Sequence, residues 1–339
     1  DDAFAIILAA HSTSLKLIGI STVAGNQSIG KTTRNAALIL SITNKLHVPL
    51  FQGQAKPIMR EARHDPDIHG HSGLEGSKDL DLYADTYIPE SDIKDDTETG
   101  QLWVDGVYKT IMASPRKVNL VATGALTNVA LLITLYPKVL ENVEQISIMG
   151  GAMGIGNRHP VAEFNILCDP EAAHIVFMSP AKVIMVPLEV THTALATEKV
   201  LTRILSLDTP FAKMAVELLT FFKQTYKRVF GFDHPPVHDP CAVAAILSPD
   251  IFVTKHIHVD VITGDHKCAG QTVCDVWEDH YTEKPNVHVA TKMDVDKFWD
   301  LMIGALERCN DVTPFNDFVR RVFKDRQLQA EKNHIVAKL

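Results

Sequence analysis

Short apolar runs alternate with segments of helical periodicity along most of the chain. The runs are nearly uniformly apolar, which is typical of strands that helices cover on both faces. They predict strands at residues 15–23, 48–51, 118–122, 145–149 and 182–186, and within 251–261 and 271–276. Helical patterns predict helices near residues 3–10, 32–43, 100–113, 126–135, 170–178, 197–205, 210–230 and 295–308. This order predicts an α/β fold with a mostly parallel, open sheet flanked by helices.

No hydrophilic linker divides the chain into two parts. Residues 52–99 are polar and too long for an ordinary connection, which predicts a functional loop region or lid. The sequence becomes polar again from about residue 310. We therefore expect a single domain at residues 1–309 and a peripheral polar tail at residues 310–339.

Polar and glycine-rich motifs follow three of the predicted strands. They are A-G-N at residues 24–26, T-G at residues 123–124 and G-G at residues 150–151. In open α/β sheets the ligand site lies beyond the carboxyl ends of the strands. The three motifs therefore predict three edges of one crevice.

Composition narrows the class of protein. The chain has 339 residues and a net charge of −8, which argues against nucleic acid as a partner. No apolar run is long enough to span a membrane and no secretory signal is visible, so we expect a cytoplasmic protein, with the nucleus as an alternative. The five cysteines form no C-x-x-C pair, and we expect buried, reduced thiols.

One local motif suggests a different class of enzyme. The segment from Gly25 to Thr32 matches the phosphate-loop pattern G-x-x-x-x-G-K-[ST] and lies between a predicted strand and a predicted helix. A phosphate-loop enzyme also needs a second strand that ends in a metal-binding Asp. None of the later predicted strands supplies one convincingly, so the pattern alone does not establish an ATPase or kinase.

Several polar residues could carry chemistry. Asp1, Asp2 and the V-H-D-P segment at residues 237–240 could provide oxygen ligands for a hard cation such as Ca²⁺, although paired acids at a helix start are more often caps. In V-A-E-F-N at residues 161–165, Glu163 and Asn165 are two apart in a segment that looks extended. Their side chains would then face the same way and could hold sugar hydroxyls, or simply be polar edge residues.

Taken together, these segments resemble the inosine-uridine preferring nucleoside hydrolases, and within them the fungal uridine nucleosidases. The resemblance extends from Asp1 to about Cys309. It rests on eight motifs in family order, which are D-D-A-F-A-I, V-A-G-N, H-G-H-S-G-L-E-G, T-G-A-L-T-N-V-A, M-G-G-A-M-G-I-G-N, V-A-E-F-N with D-P-E-A-A-H-I-V-F, T-H-T-A-L-A-T and V-H-D-P-C-A-V-A. It implies a Rossmann-like fold and Ca²⁺-dependent hydrolysis of ribonucleosides to ribose and free base, in nucleoside salvage.

The resemblance also implies roles for individual residues. The expected Ca²⁺ ligands are Asp2, Asp239 and the main-chain carbonyl of Thr123. The expected catalytic residues are His238, as proton donor to the leaving base, with Asp1 and Asn165. The expected substrate-binding residues are Asp1, Asn26, His69, Met149, Asn157, Glu163, Asn165, Tyr226 and His238. Uridine is the favoured substrate, with cytidine, inosine or nicotinamide riboside as alternatives, and a homodimer or homotetramer is expected.

One departure from the family pattern leaves two alternatives open. The family's opening motif is D-x-D-P-G-x-D-D, and this sequence starts at its last two letters. The second acid of that motif is the expected general base and a Ca²⁺ ligand, and we expect the first strand, which carries it and normally lies in the sheet's interior, to be missing from this sequence too. Either the sequence is an incomplete version of an active enzyme, or the polypeptide binds ribonucleosides without hydrolysing them.

Overall fold

The computed structural model describes residues 1–65, 70–88, 102–221, 223–264, 267–277 and 283–336. Its strands are Ile20–Thr22 (β1), Leu50–Gln52 (β2), Val118–Ala122 (β3), Val143–Met149 (β4), Val183–Val186 (β5), Phe252–Ile257 (β6), Val259–Val261 (β7), Thr272–Cys274 (β8) and Val287–Met293 (β9). Its helices are Asp2–Ala10 (α1), Ile29–Ile42 (α2), Lys78–Tyr87 (α3), Trp103–Met112 (α4), Thr127–Leu135 (α5), Phe164–Cys168 (α6), Pro170–Phe177 (α7), Leu188–Thr191 (α8), Glu198–Leu205 (α9), Pro210–Phe221 (α10), Lys223–Phe230 (α11), Asp239–Leu247 (α12), Val295–Asn310 (α13) and Pro314–Val336 (α14). Two short 3₁₀ helices span Pro137–Asn142 and Pro249–Ile251.

The largest sheet has five strands in the order β3-β4-β5-β9-β6. The pairs β3–β4, β4–β5 and β5–β9 are parallel, and β6 runs antiparallel to β9 at the edge. The predicted α/β class with a mostly parallel sheet is therefore confirmed. Strand β9 lies inside this sheet and was not predicted, because His288 and Lys292 interrupt its apolar run.

Helices cover both faces of this sheet, as β5 shows. Ile184 and Val186 belong to one apolar core, which includes helices α1, α10 and α13, whereas Val183 and Met185 belong to a second core with helices α5 and α7. Successive side chains of a strand point to opposite faces, so a strand buried on both sides has no polar alternation. This arrangement explains the uniformly apolar run that predicted β5.

Two smaller sheets flank the five-stranded one. Strands β1 and β2 form a parallel pair, and β7 and β8 form an antiparallel pair. Asn128 in α5 connects the first pair to the main sheet, because its Nδ2 donates to Ser21 Oγ at 2.8 Å and to the Thr22 carbonyl at 2.7 Å. Its Oδ1 accepts from the backbone N–H of Gln54 at 3.0 Å. One buried amide therefore fixes the position of β1 and of the chain after β2.

Two sequence-based expectations about the fold are wrong. The C-terminal segment is not peripheral, because helix α14 buries Phe315, Phe318 and Val319 in the core. The segment 161–165 is not extended throughout, since helix α6 begins at Phe164. The polar region 52–99, predicted to be a functional loop region or lid, contains the ten-residue helix α3, in which Leu80 and Tyr83 are buried.

The cysteines match the expectation only in part. All five are free thiols, as predicted. Cys168, Cys241 and Cys309 are buried, whereas Cys274 is partly buried and Cys268 is exposed. The prediction of uniformly buried thiols is therefore wrong for the β7–β8 region.

Candidate active site

The centre of the candidate site lies at the carboxyl ends of β3 and β4. Thr123 follows β3, and Met149 is the last residue of β4. The Asn165 amide donates to the Thr123 carbonyl at 3.0 Å and to the Met149 carbonyl at 3.1 Å, and it lies 3.3 Å from Met149 Sδ. Asn165 therefore fixes two strand ends that the sequence predicted to form edges of one crevice.

Two acids from the start of the chain reach the same place. Asp2 is the first residue of α1, and its Oδ1 accepts a hydrogen bond from Thr123 Oγ1 at 2.6 Å. Asp1 Oδ2 accepts the backbone N–H of His238 at 2.9 Å and that of Asp239 at 3.4 Å. The acids at positions 1 and 2, the T-G motif and the V-H-D-P motif are therefore neighbours in space.

Asp239 occupies the most unusual electrostatic environment of the site. It is the first residue of α12 and is 4 % exposed. Burial raises the pKa of its carboxyl well above the usual range, and the negative charge of Asp2 raises it further. Within the described ranges, no donor forms a hydrogen bond to its carboxylate oxygens.

A bound cation would offset the repulsion between the Asp2 and Asp239 carboxylates. Two carboxylates and the Thr123 carbonyl form an all-oxygen donor set, which suits a hard cation such as Ca²⁺. The described residues contain no group of three or more His, Cys, Asp or Glu side chains that could hold a metal ion. The assignment of Asp2, Asp239 and the Thr123 carbonyl as Ca²⁺ ligands therefore stays a prediction.

Glu163 acts within the protein as a helix cap. Its Oε1 accepts from the Asn165 N–H at 2.9 Å, and its Oε2 accepts from Gly151 N at 3.1 Å and Ile166 N at 3.2 Å. Burial raises the pKa of its carboxyl to about 7, against the opposing effect of these hydrogen bonds. Gly151 has a φ of 76°, in the left-handed region that favours glycine, which aims its N–H at this carboxylate.

His238 and Tyr226 form the aromatic side of the site. Tyr226 Oη lies 3.0 Å from His238 Nε2, and Thr191 Oγ1 lies 2.7 Å from His238 Nδ1. The Tyr226 ring is also 5.3 Å from Phe230 and 6.3 Å from Phe232, measured between centroids. Such a group of rings can contact the flat face of a nucleobase.

The remaining predicted contacts lie on loops beside these residues. The Asn26 carbonyl accepts the Asp65 N–H at 3.0 Å, and the buried Asp65 forms an ion pair with Arg158 at 2.6 Å. Asn157, which precedes Arg158, is half-buried. The ion pair therefore connects the Asn26 and Asn157 loops. His69 lies outside the described residues.

Sequence reasoning missed several residues that shape the site. Thr191 contacts His238 across 47 positions of sequence, and Glu189 Oε1 accepts from Met153 N at 2.9 Å and Gly154 N at 3.0 Å. Asp65 and Arg158 were missed as well. Of these four residues, Thr191 alone lies in one of the quoted motifs, T-H-T-A-L-A-T. Nothing in that motif distinguished Thr191 from its neighbours.

A family comparison identifies the family of the protein. The model of the family described as inosine-uridine preferring nucleoside hydrolase matches residues 1–300. The chain belongs to this family. Nucleoside hydrolases are glycosidases, and the predicted family resemblance is confirmed.

Individual relatives of this nucleoside hydrolase agree. The chain is similar to a probable ribonucleoside hydrolase from Dictyostelium discoideum, with 44 % identity over 91 % of this chain and 92 % of the relative. It is 39 % identical to an inosine-uridine preferring nucleoside hydrolase from Leishmania major, over 92 % of this chain and 95 % of the relative. A solved purine-preferring ribonucleoside hydrolase from Gardnerella vaginalis has a TM-score of 0.79 and 27 % identity, covering 91 % of this chain and 95 % of that one.

The phosphate-loop segment has an ordinary structural environment in this nucleoside hydrolase. Lys31 Nζ donates to the His71 carbonyl at 2.5 Å. Helix α2 begins at Ile29 with Ser28 as its N-cap residue, so Thr32 and Thr33 lie within the helix, and both hydroxyls donate to the Ile29 carbonyl. No helix in the described ranges has the length and apolar character needed to cross a membrane.

Proposed function

We propose that this chain hydrolyses the N-glycosidic bond of ribonucleosides to ribose and free base, in nucleoside salvage, with uridine as the favoured substrate and Ca²⁺ at the site. The main support is the meeting of Asp1, Asp2, Asp239 and Asn165 at the carboxyl ends of β3 and β4. The preference for uridine draws on the similarity to the inosine-uridine preferring relative.

Asp1 and Asn165 have one oxygen each for the ribose hydroxyls. Asp1 Oδ2 and the Asn165 amide nitrogen are used in bonds to the protein. In the described part of the chain, Asp1 Oδ1 and Asn165 Oδ1 accept no hydrogen bond. Both are anchored on their other side, so they are held in place before a sugar binds.

Carboxylates close to the sugar would also stabilise the reaction. Breaking the bond from C1′ to the base develops positive charge on the ribose, and nearby anionic side chains stabilise that charge. At the other end of the bond, His238 and Tyr226 carry N–H and O–H groups that can donate to the departing base. Such donation accelerates comparable reactions by roughly 10²–10⁴-fold.

Asp2, Asp239 and the Thr123 carbonyl would hold Ca²⁺. When bound, the cation would lower the pKa of a coordinated water so that a carboxylate can take its proton. We expect Asp239→Ala to remove an anionic ligand and abolish Ca²⁺ binding. Elemental analysis that finds unchanged calcium stoichiometry in Asp239→Ala would contradict this ligand assignment.

The activity is tested with a panel of uridine, cytidine, inosine and nicotinamide riboside. The chain is assayed as it stands and with a D-x-D-P-G-x segment placed before Asp1, each with Ca²⁺ content measured. We expect release of free base by the extended chain, fastest from uridine. Calorimetric binding of ribonucleosides without any product, from Ca²⁺-loaded extended chain, would instead indicate a binding protein and overturn the proposal.

We also propose that the protein is a cytoplasmic homodimer or homotetramer that binds neither nucleic acid nor membrane. The net charge of −8 supports the absence of a polyanion partner. Light scattering coupled to size-exclusion chromatography measures the assembly directly. A monomeric mass at micromolar protein concentration would contradict the oligomeric state.

A further inference from the structure

Thr191 makes a contact that the proposed reaction does not yet use. It is the last residue of helix α8, just beyond the carboxyl end of β5, and it is 0 % exposed. Its hydroxyl lies 2.7 Å from His238 Nδ1. In the described residues, this ring nitrogen is the hydroxyl's one hydrogen-bond partner.

The burial of Thr191 decides which atom donates. If the hydroxyl accepted a hydrogen bond from an Nδ1–H, its own hydrogen would be buried without an acceptor, which costs about 1–3 kcal/mol. If it donates to Nδ1, both groups are satisfied. The Thr191 hydroxyl is therefore the donor, and Nδ1 is the unprotonated nitrogen of the neutral ring.

The position of the ring proton follows from this choice. A neutral imidazole carries one hydrogen, so it must lie on Nε2, which is 3.0 Å from Tyr226 Oη. The Tyr226 hydroxyl can donate or accept equally well, so it does not select a tautomer. His192 touches the His238 ring edge-on, with centroids 5.5 Å apart, and forms no hydrogen bond to it.

We infer that Thr191 is a positioning residue, which fixes His238 in the tautomer that carries its proton on Nε2, the nitrogen that faces Tyr226 and the base side of the site. The inference rests on the proposed function for its catalytic meaning. The Tyr226 oxygen accepts from Nε2–H, so the Tyr226 hydroxyl hydrogen is donated to an acceptor other than His238. If the ring carried its proton on Nδ1 instead, Nε2 would present a lone pair to Tyr226.

Three variants separate this role from simple packing. Thr191→Val has nearly the same shape without the hydroxyl, and Thr191→Ser keeps the hydroxyl. Thr193→Val is a matched control, because Thr193 is exposed and its hydroxyl donates to the Val190 carbonyl. If Thr191→Val fails to fold, the wild type and Thr191→Ser still report directly which nitrogen of the His238 ring carries the proton.

The direct measurement is long-range ¹H–¹⁵N NMR of ¹⁵N-histidine-labelled protein, with the His238 signals assigned by their loss in His238→Gln. We expect the wild type, Thr191→Ser and Thr193→Val to carry the proton on Nε2 with a hydrogen-bonded Nδ1. In Thr191→Val the Nδ1 signal should move toward that of a free acceptor. A wild-type ring protonated on Nδ1, or an Nδ1 signal that is identical in wild type and Thr191→Val, would overturn the inference whether or not the protein hydrolyses nucleosides.

Kinetics adds a second readout. We expect Thr191→Val to lower kcat for uridine about 10–100-fold with little change in KM, since it disturbs only the hydrogen-bond donation through His238 and Tyr226 to the departing base. The hydrolysis of p-nitrophenyl riboside, whose leaving group needs no proton, should be unaffected. Equal losses on both substrates would contradict a role in proton donation, whereas a failure of the wild type on every ribonucleoside would contradict the proposed function alone.

Discussion

Asp1 Oδ2 accepts the backbone N–H of His238 at 2.9 Å, at the N-terminus of helix α12. The same oxygen lies 3.4 Å from the N–H of Asp239, which follows. A carboxylate is favoured here because it pairs with unsatisfied N–H groups and with the positive end of the helix dipole. The first residue of the sequence therefore holds the segment that carries His238 and Asp239.

We expect Asp1→Ala to destabilise the protein by about 1–2 kcal/mol, the usual effect of removing a helix cap. Urea unfolding at pH 7 measures the change. Asp1→Asn keeps an oxygen acceptor and should lose less than half as much. Equal loss in both variants would show that charge, and not the hydrogen bond, is what matters at this position.

Glu163 gives the protein a specific pH dependence. Burial raises the pKa of its carboxyl from 4.5 to about 7 in the folded protein, so folding favours the protonated form. Its contribution to stability is complete below pH 4.5 and is lost as the pH rises to about 7. The linkage predicts a loss of up to about 3 kcal/mol across this window.

Urea unfolding of wild type and Glu163→Gln in the presence of a chelator measures this contribution. The difference in unfolding free energy between them should fall as the pH rises from 4.5 to 7. Glu189→Gln is a useful control, because Glu189 is a partly buried carboxylate that also accepts two N–H bonds near β4. Parallel stability curves for wild type and Glu163→Gln would contradict the raised pKa of Glu163.

Asn128 is expected to be important for stability rather than for chemistry. Its amide makes bonds of 2.8, 2.7 and 3.0 Å to Ser21, Thr22 and Gln54. We expect Asn128→Ala to reduce the unfolding free energy by about 2–4 kcal/mol, since it leaves buried backbone groups without partners. Asn128→Asp lacks the donor but keeps the acceptor, so its unfolding free energy should lie between those of the wild type and Asn128→Ala. A change below 0.5 kcal/mol, measured by chemical unfolding, would be inconsistent with this bridging role.

Asn26 and Lys31 lie within the same eight-residue pattern and should behave oppositely. We expect Asn26→Ala to weaken ribonucleoside binding and turnover about tenfold or more, because it removes an amide expected to contact ribose. Lys31→Ala should leave both unchanged, since Lys31 is exposed and bonds only the His71 carbonyl among the described residues. Calorimetry measures the binding of uridine and of ATP to each of the two variants. ATP binding that depends on Lys31 would revive the phosphate-loop interpretation.

Patterns that depend on local sequence predicted much of the fold and the centre of the site. Strands β3 and β5 and helix α7 were predicted within a residue or two. The apolar run of β5 reflects burial on both faces, and the spacing of apolar residues in α7 reflects one buried stripe. The T-G and G-G motifs predicted that Thr123 and Gly150 border one crevice, and the Asn165 amide connects those strand ends.

Features that depend on distant contacts were not predictable. Glu163 and Asn165 were expected to share one face of an extended segment, whereas the Glu163 carboxylate caps the helix that begins at Phe164. Thr191 and Glu189 have their partners 47 and 36 positions away, and neither has a distinctive neighbour in sequence. The buried face of α14 repeats at Phe315, Phe318 and Val319, but the many charged residues around it suggested a tail.

Helix α14 has a consequence for the order of events during synthesis. The ring of Tyr83 in helix α3 lies 5.4 Å from that of Phe315 and 5.1 Å from that of Phe318. A ribosome must therefore translate through residue 318 before Tyr83 can contact these two rings. Until then helix α3 is incompletely buried, and such transiently exposed apolar surface favours association of nascent chains.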